Sequence, residues 1–426
     1  MRSKKGNGKQ DMNQTIVDLD DLEQQPLGIL PFPAGLLLLE SSSDFSQIAS
    51  SISKGTTQIE FQGEFEFIAH AINQDLDKAY ASIQGDSPIA NYNRFVLSPT
   101  SQAYESLLQV ENMALTALVQ CVAYMVGLRD DLPDETNVLG SVGAVLFSTL
   151  ASSEIDLCNY DRAISLLQRA ILCVDNKTIL RSLLQVDLAQ ALKLAGNEIG
   201  SVIACYEEAL LELSKSEMTQ QSAGALFELG LCYQEASRNQ PEYLRRAVQS
   251  YHDALLRISR ETSKELYGMC QINLALAYLA MPMVTASDTL RQAVAVSLLR
   301  GALEVFPKET HPIEWSNVTL NLANALVYSP SSHQGDNLVE AVEKYEELLL
   351  LRDRVRDPLG FARVVANQGN ALAHLGDFEH AKAKLHESRM IFEEFSLYDE
   401  VAEIRNILNE IEKRYLEEEN ASDGAL

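Results

Sequence analysis

Histidines and cysteines are the residues of this chain whose types could support metal or redox chemistry. His374, His380 and His386 lie six residues apart, and six residues rotate an α-helix by about 240°. Their side chains therefore point away from one another, which argues against a metal site. No pair among the cysteines has the C-x-x-C spacing of a metal or redox site, so we predict reduced, buried thiols and no metal or cofactor. The cysteines are Cys121, Cys158, Cys173, Cys205, Cys232 and Cys270.

Motifs of nucleophilic and phosphate chemistry are also missing from the sequence. Glycine-rich phosphate loops, H-E-x-x-H and G-x-S-x-G do not occur. Ser51 and Lys54 fit S-x-x-K, but the S-D-N and K-T-G partners of a penicillin-binding enzyme are absent. We predict that the chain is not an enzyme. An enzymatic function would require an unfamiliar site within the N-terminal 130 residues.

The charge of the chain excludes two classes of partner. Asp and Glu number 60 and Lys and Arg number 34, giving a formal charge of -26. Such a charge repels nucleic acid and anionic membrane surfaces, so we predict a basic or neutral protein or peptide partner. The apolar run over residues 27–39 follows several acidic residues and lacks the basic flank of an export signal. With its predicted free thiols, the protein is expected to be cytoplasmic.

Composition and punctuation divide the chain into four regions. Residues 1–26 are polar and without periodicity, which predicts a disordered tail. Residues 27–130 form a mostly helical region of unknown type, with one long helix predicted over 100–128. Residues 137–415 show successive helical patterns and no parallel-sheet strand. Residues 416–426 are predicted to be a frayed acidic tail.

Two stretches of the N-terminal region allow more than one interpretation. Residues 31–40 fit either a short strand or a capping segment. The alternation from Ile59 to Phe67 suggests a strand, but the pattern also continues as a helical hairpin broken near Gln74 and Asp75. We favour the hairpin.

A repeated small residue organises the C-terminal part of the chain. The pattern predicts pairs of helices, and the first helix of each pair contains a small residue directly after a large or polar one. These small residues recur at intervals of 45, 48 and 46 residues; they are Gly230, Ala275, Ala323 and Gly369. Each second helix carries a small, a large and another small or medium residue at fixed spacing. Small side chains let antiparallel helices approach closely while the large one fills a neighbouring groove. The second-helix sets are Ala163/Leu167/Ala170, Val202/Tyr206/Ala209, Ala247/Tyr251/Ala254, Ala295/Leu299/Ala302, Ala341/Tyr345/Leu348 and Ala381/Leu385/Ser388.

This pattern resembles the tetratricopeptide repeat family over most of residues 137–415. Pro307 lies where that family often ends its second helix, and Gly376 and Asp377 match its inter-helix turn. The repeats are longer than the family's roughly 34 residues, which implies longer helices or loops. In this, the chain resembles kinesin light chains and bacterial proteins with caspase-like domains, although it has no such domain. The resemblance implies an all-α, right-handed superhelix (α-solenoid) of antiparallel helix pairs.

The same resemblance implies a peptide-binding surface. First helices of this family line the concave wall of the superhelix, which binds extended or helical peptides. Asn273, Asn321 and Asn367 are expected on this wall, with Asn324 and Asn370 one turn along. An amide offers both donor and acceptor, so stacked asparagines can pair with a peptide backbone. Alternatively, these asparagines bond helix ends or neighbouring hairpins.

Two cationic residues flank these asparagines. Arg363 precedes Asn367 by one turn, and His374 follows Asn370 by one turn. Either could anchor a carboxylate of a bound peptide. The lysine pair with which some co-chaperones of this family hold a chaperone's C-terminus is not evident.

Two functions remain open from the sequence. The first is a scaffold or adaptor, with assembly chaperone as one form, that binds a polypeptide on the asparagine-lined wall. The second is a regulatory or sensor subunit whose N-terminal region recognises an effector or a small molecule. The oligomeric state stays open, including homo-oligomers.

Overall fold

The computed structural model of the chain describes residues 19–42, 44–56, 61–238, 240–283, 287–328 and 333–423. Within these ranges the secondary structure consists of nineteen α-helices and three short 3-10 helices, without a β-strand. The predicted all-α fold is confirmed. The six N-terminal helices are short: α1 Phe45–Ser53, α2 Glu66–Ile72, α3 Leu76–Ser82, α4 Pro88–Leu97, α5 Ser101–Leu107 and α6 Met113–Met125.

Six helix pairs and one closing helix follow. In each pair the first helix leads through a short connection into the second. The pairs are α7 Gly140–Asp156 with α8 Tyr160–Leu172, α9 Ile179–Leu194 with α10 Ile199–Leu213, α11 Thr219–Ala236 with α12 Tyr243–Leu255, α13 Lys264–Ala280 with α14 Ser287–Val305, α15 Pro312–Tyr328 with α16 Gln334–Leu349, and α17 Pro358–Leu375 with α18 Phe378–Glu394; α19 spans Tyr398–Asp423. The chain divides into two compact units, Met1–Ala225 and Leu226–Leu426, at a point within α11.

Ring contacts show that the helices of a pair run antiparallel. In the pair α11–α12, Tyr233 stacks on Tyr243 near the turn, with ring centroids 5.6 Å apart. Further from the turn, Phe227 contacts Tyr251 at 6.0 Å between centroids. Within the second unit, neighbouring first helices also contact one another, α13 with α15, α15 with α17 and α17 with α19. The predicted solenoid of antiparallel helix pairs is thus confirmed by the described helices.

Surface ion pairs connect the second helices of successive pairs. Arg300 of α14 lies 2.6 Å from Glu340 of α16. Arg354, after α16, lies 3.3 Å from Glu387 of α18. Exposed pairs of this kind contribute at most about 1 kcal/mol each, so the apolar contacts between helices provide most of the stability.

The end of the predicted disordered tail is folded. Residues 1–18 lie outside the described residues. Leu19–Gln24 forms a 3-10 helix, in which Leu22 is only 2% exposed. Burial of this leucine places residues 19–26 with the folded region, contrary to the prediction.

The N-terminal region covers part of the first two helix pairs. A Cβ atom on Gly28 would lie 3.1 Å from Cδ1 of Leu180 in α9 and 3.5 Å from Cγ2 of Val145 in α7. The helix α7 buries ten of its 17 residues, more than a helix with one solvent-facing side can bury. The N-terminal segment therefore covers apolar surface that the repeats alone would leave in water.

Two buried amides hold the segment after the second 3-10 helix, Ala34–Leu36. Asn93 of α4 accepts from the backbone N–H of Leu38 and donates to its carbonyl, both at 2.8 Å. Gln25 pairs in the same way with Leu39, at 2.8 and 2.9 Å. Residues 33–39 are therefore buried, and residues 31–40 contain no strand.

The remaining N-terminal predictions differ in outcome. The alternative strand was to begin at Ile59, which lies outside the described residues. The helices α2 and α3 form the favoured hairpin, and Gln74 between them has a φ of 61°. The single helix predicted over 100–128 is wrong. Residues 108–112 interrupt it, because the Asn112 side chain accepts a hydrogen bond from the backbone N–H of Leu115 at 2.8 Å and starts a new helix.

The C-terminal helix is longer than predicted. The helix α19 continues to Asp423, so residues 416–423 are helical where a frayed tail was expected, and 424–426 lie outside the described residues. Its inner side buries Val401, Ile404 and Ile411 against the last pair. None of the described helices combines the length and apolar character needed to cross a membrane.

Candidate functional site

Two hydrogen bonds between side chains join the first helices α15 and α17. The Nδ2 atom of Asn367 donates to Oδ1 of Asn324 at 3.0 Å. The Nδ2 atom of Asn370 donates to the hydroxyl of Tyr328 at 2.8 Å. On each helix the two residues are one turn apart, so all four share the face that α15 and α17 present together.

Asn324 makes a second bond, to the other helix of its own pair. The hydroxyl of Tyr345 in α16 donates to the same Oδ1 atom at 2.7 Å. Tyr345 is 1% exposed, and burial raises the pKa of its hydroxyl above the ordinary value because a phenolate would be desolvated. Asn324 therefore supplies the acceptor for a buried hydroxyl and connects three helices.

The other two predicted asparagines do not join this network. Asn273 donates from Nδ2 to the carbonyl of Met269 on its own helix at 2.9 Å. Asn321 is half-buried in α15, and its side chain makes no hydrogen bond with any described residue. Of the five asparagines, the structure thus connects Asn324, Asn367 and Asn370 with neighbouring helices.

Arg363 and His374 lie at opposite ends of α17. The side chain of Arg363 is 62% exposed, and its guanidinium is 3.9 Å from Glu400 of α19. His374 contacts the exposed ring of Tyr328 edge-on, with 6.1 Å between centroids. Eleven residues of helix separate the two side chains by about 16 Å, so they cannot bind one carboxylate together.

After the bonds between helices are formed, each amide still has donors or an acceptor that are not used. The two lone pairs of Oδ1 in Asn324 are occupied, while both of its N–H groups remain available. Asn367 and Asn370 each donate one N–H and retain an acceptor oxygen. The network consequently fixes which amide offers a donor and which offers an acceptor.

No cluster of three or more His, Cys, Asp or Glu that could hold a metal ion occurs among the described residues. His380 pairs with Asp377 at the start of α18, 2.9 Å apart. All six cysteines are free. Cys121, Cys232 and Cys270 are buried as predicted, Cys173 and Cys205 are half-buried, and Cys158 is exposed in the turn between α7 and α8, where the prediction of a buried thiol is wrong.

The predicted small and large residues pack as the repeat requires. A Cβ atom on Gly230 would lie 2.5 Å from Cε1 of Tyr251, and one on Gly369 would lie 2.9 Å from Cγ of Leu385. Every residue of the six second-helix sets is at most 2% exposed or fully buried. The packing is that of an α-solenoid of antiparallel helix pairs, as the resemblance to tetratricopeptide repeats implies.

The long repeat of this chain comes mainly from its helices. From α13 to α18 they contain 16 to 19 residues each. The predicted turn is also present: Gly376 adopts a φ of 86° at the end of α17, and Asp377 caps α18. The more specific likeness to kinesin light chains stays a prediction.

No protein-family model matches the chain, and no curated protein matches its sequence. Among solved structures, the chain is similar to a Rap protein complexed with competence and sporulation factor, at 13% identity and a TM-score of 0.40, covering 83% of this chain and 97% of that one. It is also similar to the apo form of RapI, at 14% identity and a TM-score of 0.47, with the same coverage. The yeast Sti1 TPR2AB domain, in complex with an Hsp90 peptide, matches at 16% identity and a TM-score of 0.25, covering 64% of this chain and 100% of that one.

Sequence reasoning missed two kinds of residue, the partners of the asparagines on this face and the carboxylates at the corresponding position of other first helices. Tyr328 and Tyr345 supply the partners of the asparagines, and only the packing of adjacent helices reveals them. Asp187 in α9 and Glu228 in α11 occupy the position of Asn321, two residues before a buried small residue. Aligning the first helices on that small residue would have found both carboxylates.

Proposed function

We propose that the chain is a non-enzymatic interaction protein that holds an extended segment of another polypeptide on its first-helix face. This name denotes the surface of α13, α15 and α17 that carries Asn273, Asn321, Asn324, Asn367 and Asn370. The scaffold or adaptor function predicted from the sequence follows from such a surface.

The single observation that supports this proposal is the fixed amide network between α15 and α17. Asn324 retains its N–H donors, and Asn367 retains its acceptor oxygen. An extended backbone offers N–H and C=O groups in alternation, so it can pair with both without regard to its side chains. Because the network already holds the amides, the ligand would not have to order them on binding.

Asn321 is the residue best suited to direct contact with the ligand. Its amide is half-buried and has no hydrogen-bond partner among the described side chains and backbone. All of its donors and its acceptor are available to a ligand. Arg363 and His374, at the two ends of α17, would contact side chains of the ligand and not its backbone.

The experiment uses peptides selected against the full-length chain from a random library displayed on phage. Replacing Asn321 with Ala should weaken the selected peptides about fivefold, which corresponds to one or two lost hydrogen bonds. Asn337→Ala is the matched control, because Asn337 is a half-buried asparagine on the second helix α16 of the same pair. Equal affinity of wild type and Asn321→Ala would refute the assignment of this face.

The net charge of -26 favours basic or neutral partners. Assembly chaperone activity is one form of the proposed function. The sensor function, in which the N-terminal region recognises an effector or a small molecule, stays a prediction.

A further inference from the structure

A cavity of about 540 Å³ lies between the N-terminal segment and the first two helix pairs. It is lined by residues 23–26, by Gly140 and Ser141 at the start of α7, and by residues 173–175 between α8 and α9. All of them belong to the unit Met1–Ala225. Small-molecule sites commonly have volumes of about 300–1,000 Å³, so the cavity is large enough to hold a ligand of this kind.

Close packing fixes part of the lining. A Cβ atom on Gly140 would lie 2.6 Å from Cβ of Glu23, and one on Gly143 would lie 2.9 Å from Sγ of Cys173. Burial raises the pKa of the Cys173 thiol, the Glu23 carboxylate adds to the rise, and Arg169 opposes it. The first turn of α7 therefore holds Glu23 and Cys173 near each other in the lining.

Two carboxylates of the lining have no partner among the described residues. Glu23 and Asp175 are exposed, and neither forms a hydrogen bond or an ion pair with any described residue. No Lys, Arg or His of the described part of the chain lines the cavity. The lining therefore carries negative charge without a compensating cation.

The cations of neighbouring segments do not compensate this charge. Arg169 forms an ion pair with Glu135, and Arg181 donates to a backbone carbonyl at 3.0 Å. Lys54 and Lys177 are close in sequence to lining residues, but neither lines the cavity. The two carboxylates are consequently available to a cation from solution.

A buried hydroxyl in the same lining also has no partner. Ser141 is 5% exposed, and its Oγ atom forms no hydrogen bond with the described residues. Buried polar groups are hydrogen-bonded in the great majority of cases, so this hydroxyl indicates a bond to a group outside the chain. Pro26, Ile29 and Leu180 of the lining are buried apolar residues, which can contact an apolar part of a ligand.

We propose that the cavity binds a small molecule with an ammonium group on a short apolar body. Glu23 and Asp175 accept charge-assisted hydrogen bonds from the ammonium, and Ser141 bonds to a polar group of the ligand. The inference goes beyond the proposed function, because none of these residues belongs to the first-helix face. Such a site would give the sensor function predicted for the N-terminal region a place of binding.

The test uses the thiol of Cys173 as a reporter in the lining. The full-length chain is equilibrated with equal concentrations of cystamine and bis(2-hydroxyethyl) disulfide and with small, equal amounts of their thiols. A cysteine thiolate displaces one thiol from either probe and retains the other half as a mixed disulfide, so the two adducts differ only in an ammonium or a hydroxyl. Peptide mapping by mass spectrometry gives the ratio of the adducts at Cys173 and at exposed Cys158. The ratio of aminoethyl to hydroxyethyl adduct should be about tenfold higher at Cys173, a preference equal to roughly 1.4 kcal/mol.

Variants separate the two carboxylates from the net charge of the chain. Glu23→Gln and Asp175→Asn should each lower the preference at Cys173, and the double variant should lose it. Glu198→Gln is the matched control, because Glu198 is exposed beyond the far end of α9, about 24 Å from its start. The control should keep the preference. Each single variant is compared separately if the double variant loses cooperative thermal unfolding.

Four outcomes would overturn the proposal. They are no modification of Cys173 in the folded chain, an equal adduct ratio at Cys173 and Cys158, an unchanged preference in both single carboxylate variants, and an equal loss in Glu198→Gln. None of them depends on Asn321, so the proposed function is tested separately.

Thermal unfolding tests the assignment of Ser141. Because its hydroxyl has no partner among the described residues, Ser141→Ala should unfold at the same temperature as the wild type or higher. A lower unfolding temperature would show that the hydroxyl bonds within the protein, and would overturn its role as a ligand contact.

Discussion

Replacing Asn324 with Ala should destabilise the chain more than replacing any other asparagine of the first-helix face. The change leaves the Tyr345 hydroxyl, which is 1% exposed, without its acceptor, at a cost of about 1–3 kcal/mol. It also removes the bond from Asn367, worth about 0.5–1.5 kcal/mol. Alanine returns roughly 0.5 kcal/mol through its higher helix propensity. The expected net loss in the free energy of unfolding is about 1–4 kcal/mol.

Urea denaturation followed by circular dichroism measures this loss, with Asn321→Ala as the internal control. Asn321 is one turn earlier on the same helix and has no side-chain partner among the described residues. Its replacement should change stability by no more than about 0.5 kcal/mol. The two alanine variants therefore differ only in the bonds that are lost.

A double-mutant cycle isolates the bond to the buried hydroxyl. Tyr345→Phe removes the group that Asn324→Ala leaves without a partner, so the double variant should be more stable than the sum of the two losses predicts. We expect a coupling energy of about 1–2 kcal/mol. Additive effects, or an Asn324→Ala variant as stable as Asn321→Ala, would refute the reasoning.

Two further predictions use contrasts within the chain. Gly230→Ala should lower the unfolding free energy by about 1–2 kcal/mol, because its Cβ would lie 2.5 Å from the Tyr251 ring. Gly224→Ala on the same helix places a Cβ that meets nothing within 4 Å, so it should stabilise the chain by about 0.5–1 kcal/mol. Thermal unfolding measures both changes. A thiol reagent at pH 8 should modify exposed Cys158 first and leave Cys121 unmodified until the chain unfolds. Cys121 is fully buried, and burial raises its pKa to about 12. Mass spectrometry identifies the modified cysteines, and rapid modification of Cys121 in the native chain would contradict this prediction.

The packing of the repeats was predictable because it is local and periodic. Ala247, Tyr251 and Ala254 lie on one side of one helix, and their spacing alone puts them against the neighbouring helix. All three are fully buried. The same spacing recurs in each pair, so the repeat organisation could be derived without knowledge of the partners of any side chain.

The polar network was not predictable in the same way. Whether Asn324 faces a ligand or another side chain depends on the position of Asn367, which is 43 residues away. Helical periodicity places both residues on one face but does not give the distance between neighbouring helices. The alternative that these asparagines bond neighbouring hairpins is therefore what the structure shows for Asn324, Asn367 and Asn370, and ligand contact remains a proposal.

The N-terminal region was the least predictable part for a related reason. The side chains of Asn93 and Gln25 form hydrogen bonds with the backbone of residues 37–39. Asn93 is 55 residues away in sequence from its partner Leu38. These bonds connect amides with a backbone that has no periodic pattern of its own.

The two amide arrangements in this chain clarify how the proposed ligand contact would work. Asn93 shows that one amide side chain can satisfy both backbone groups of a non-helical residue, with two bonds of 2.8 Å. Asn321 has the same side chain, and its amide forms no hydrogen bond with any described residue. Because Asn324 and Asn367 already hold α15 and α17 together, a ligand backbone at Asn321 would meet a surface that needs no rearrangement. Asn324→Ala should therefore weaken selected peptides even if they contact only Asn321, and an unchanged affinity would show that the network serves stability alone.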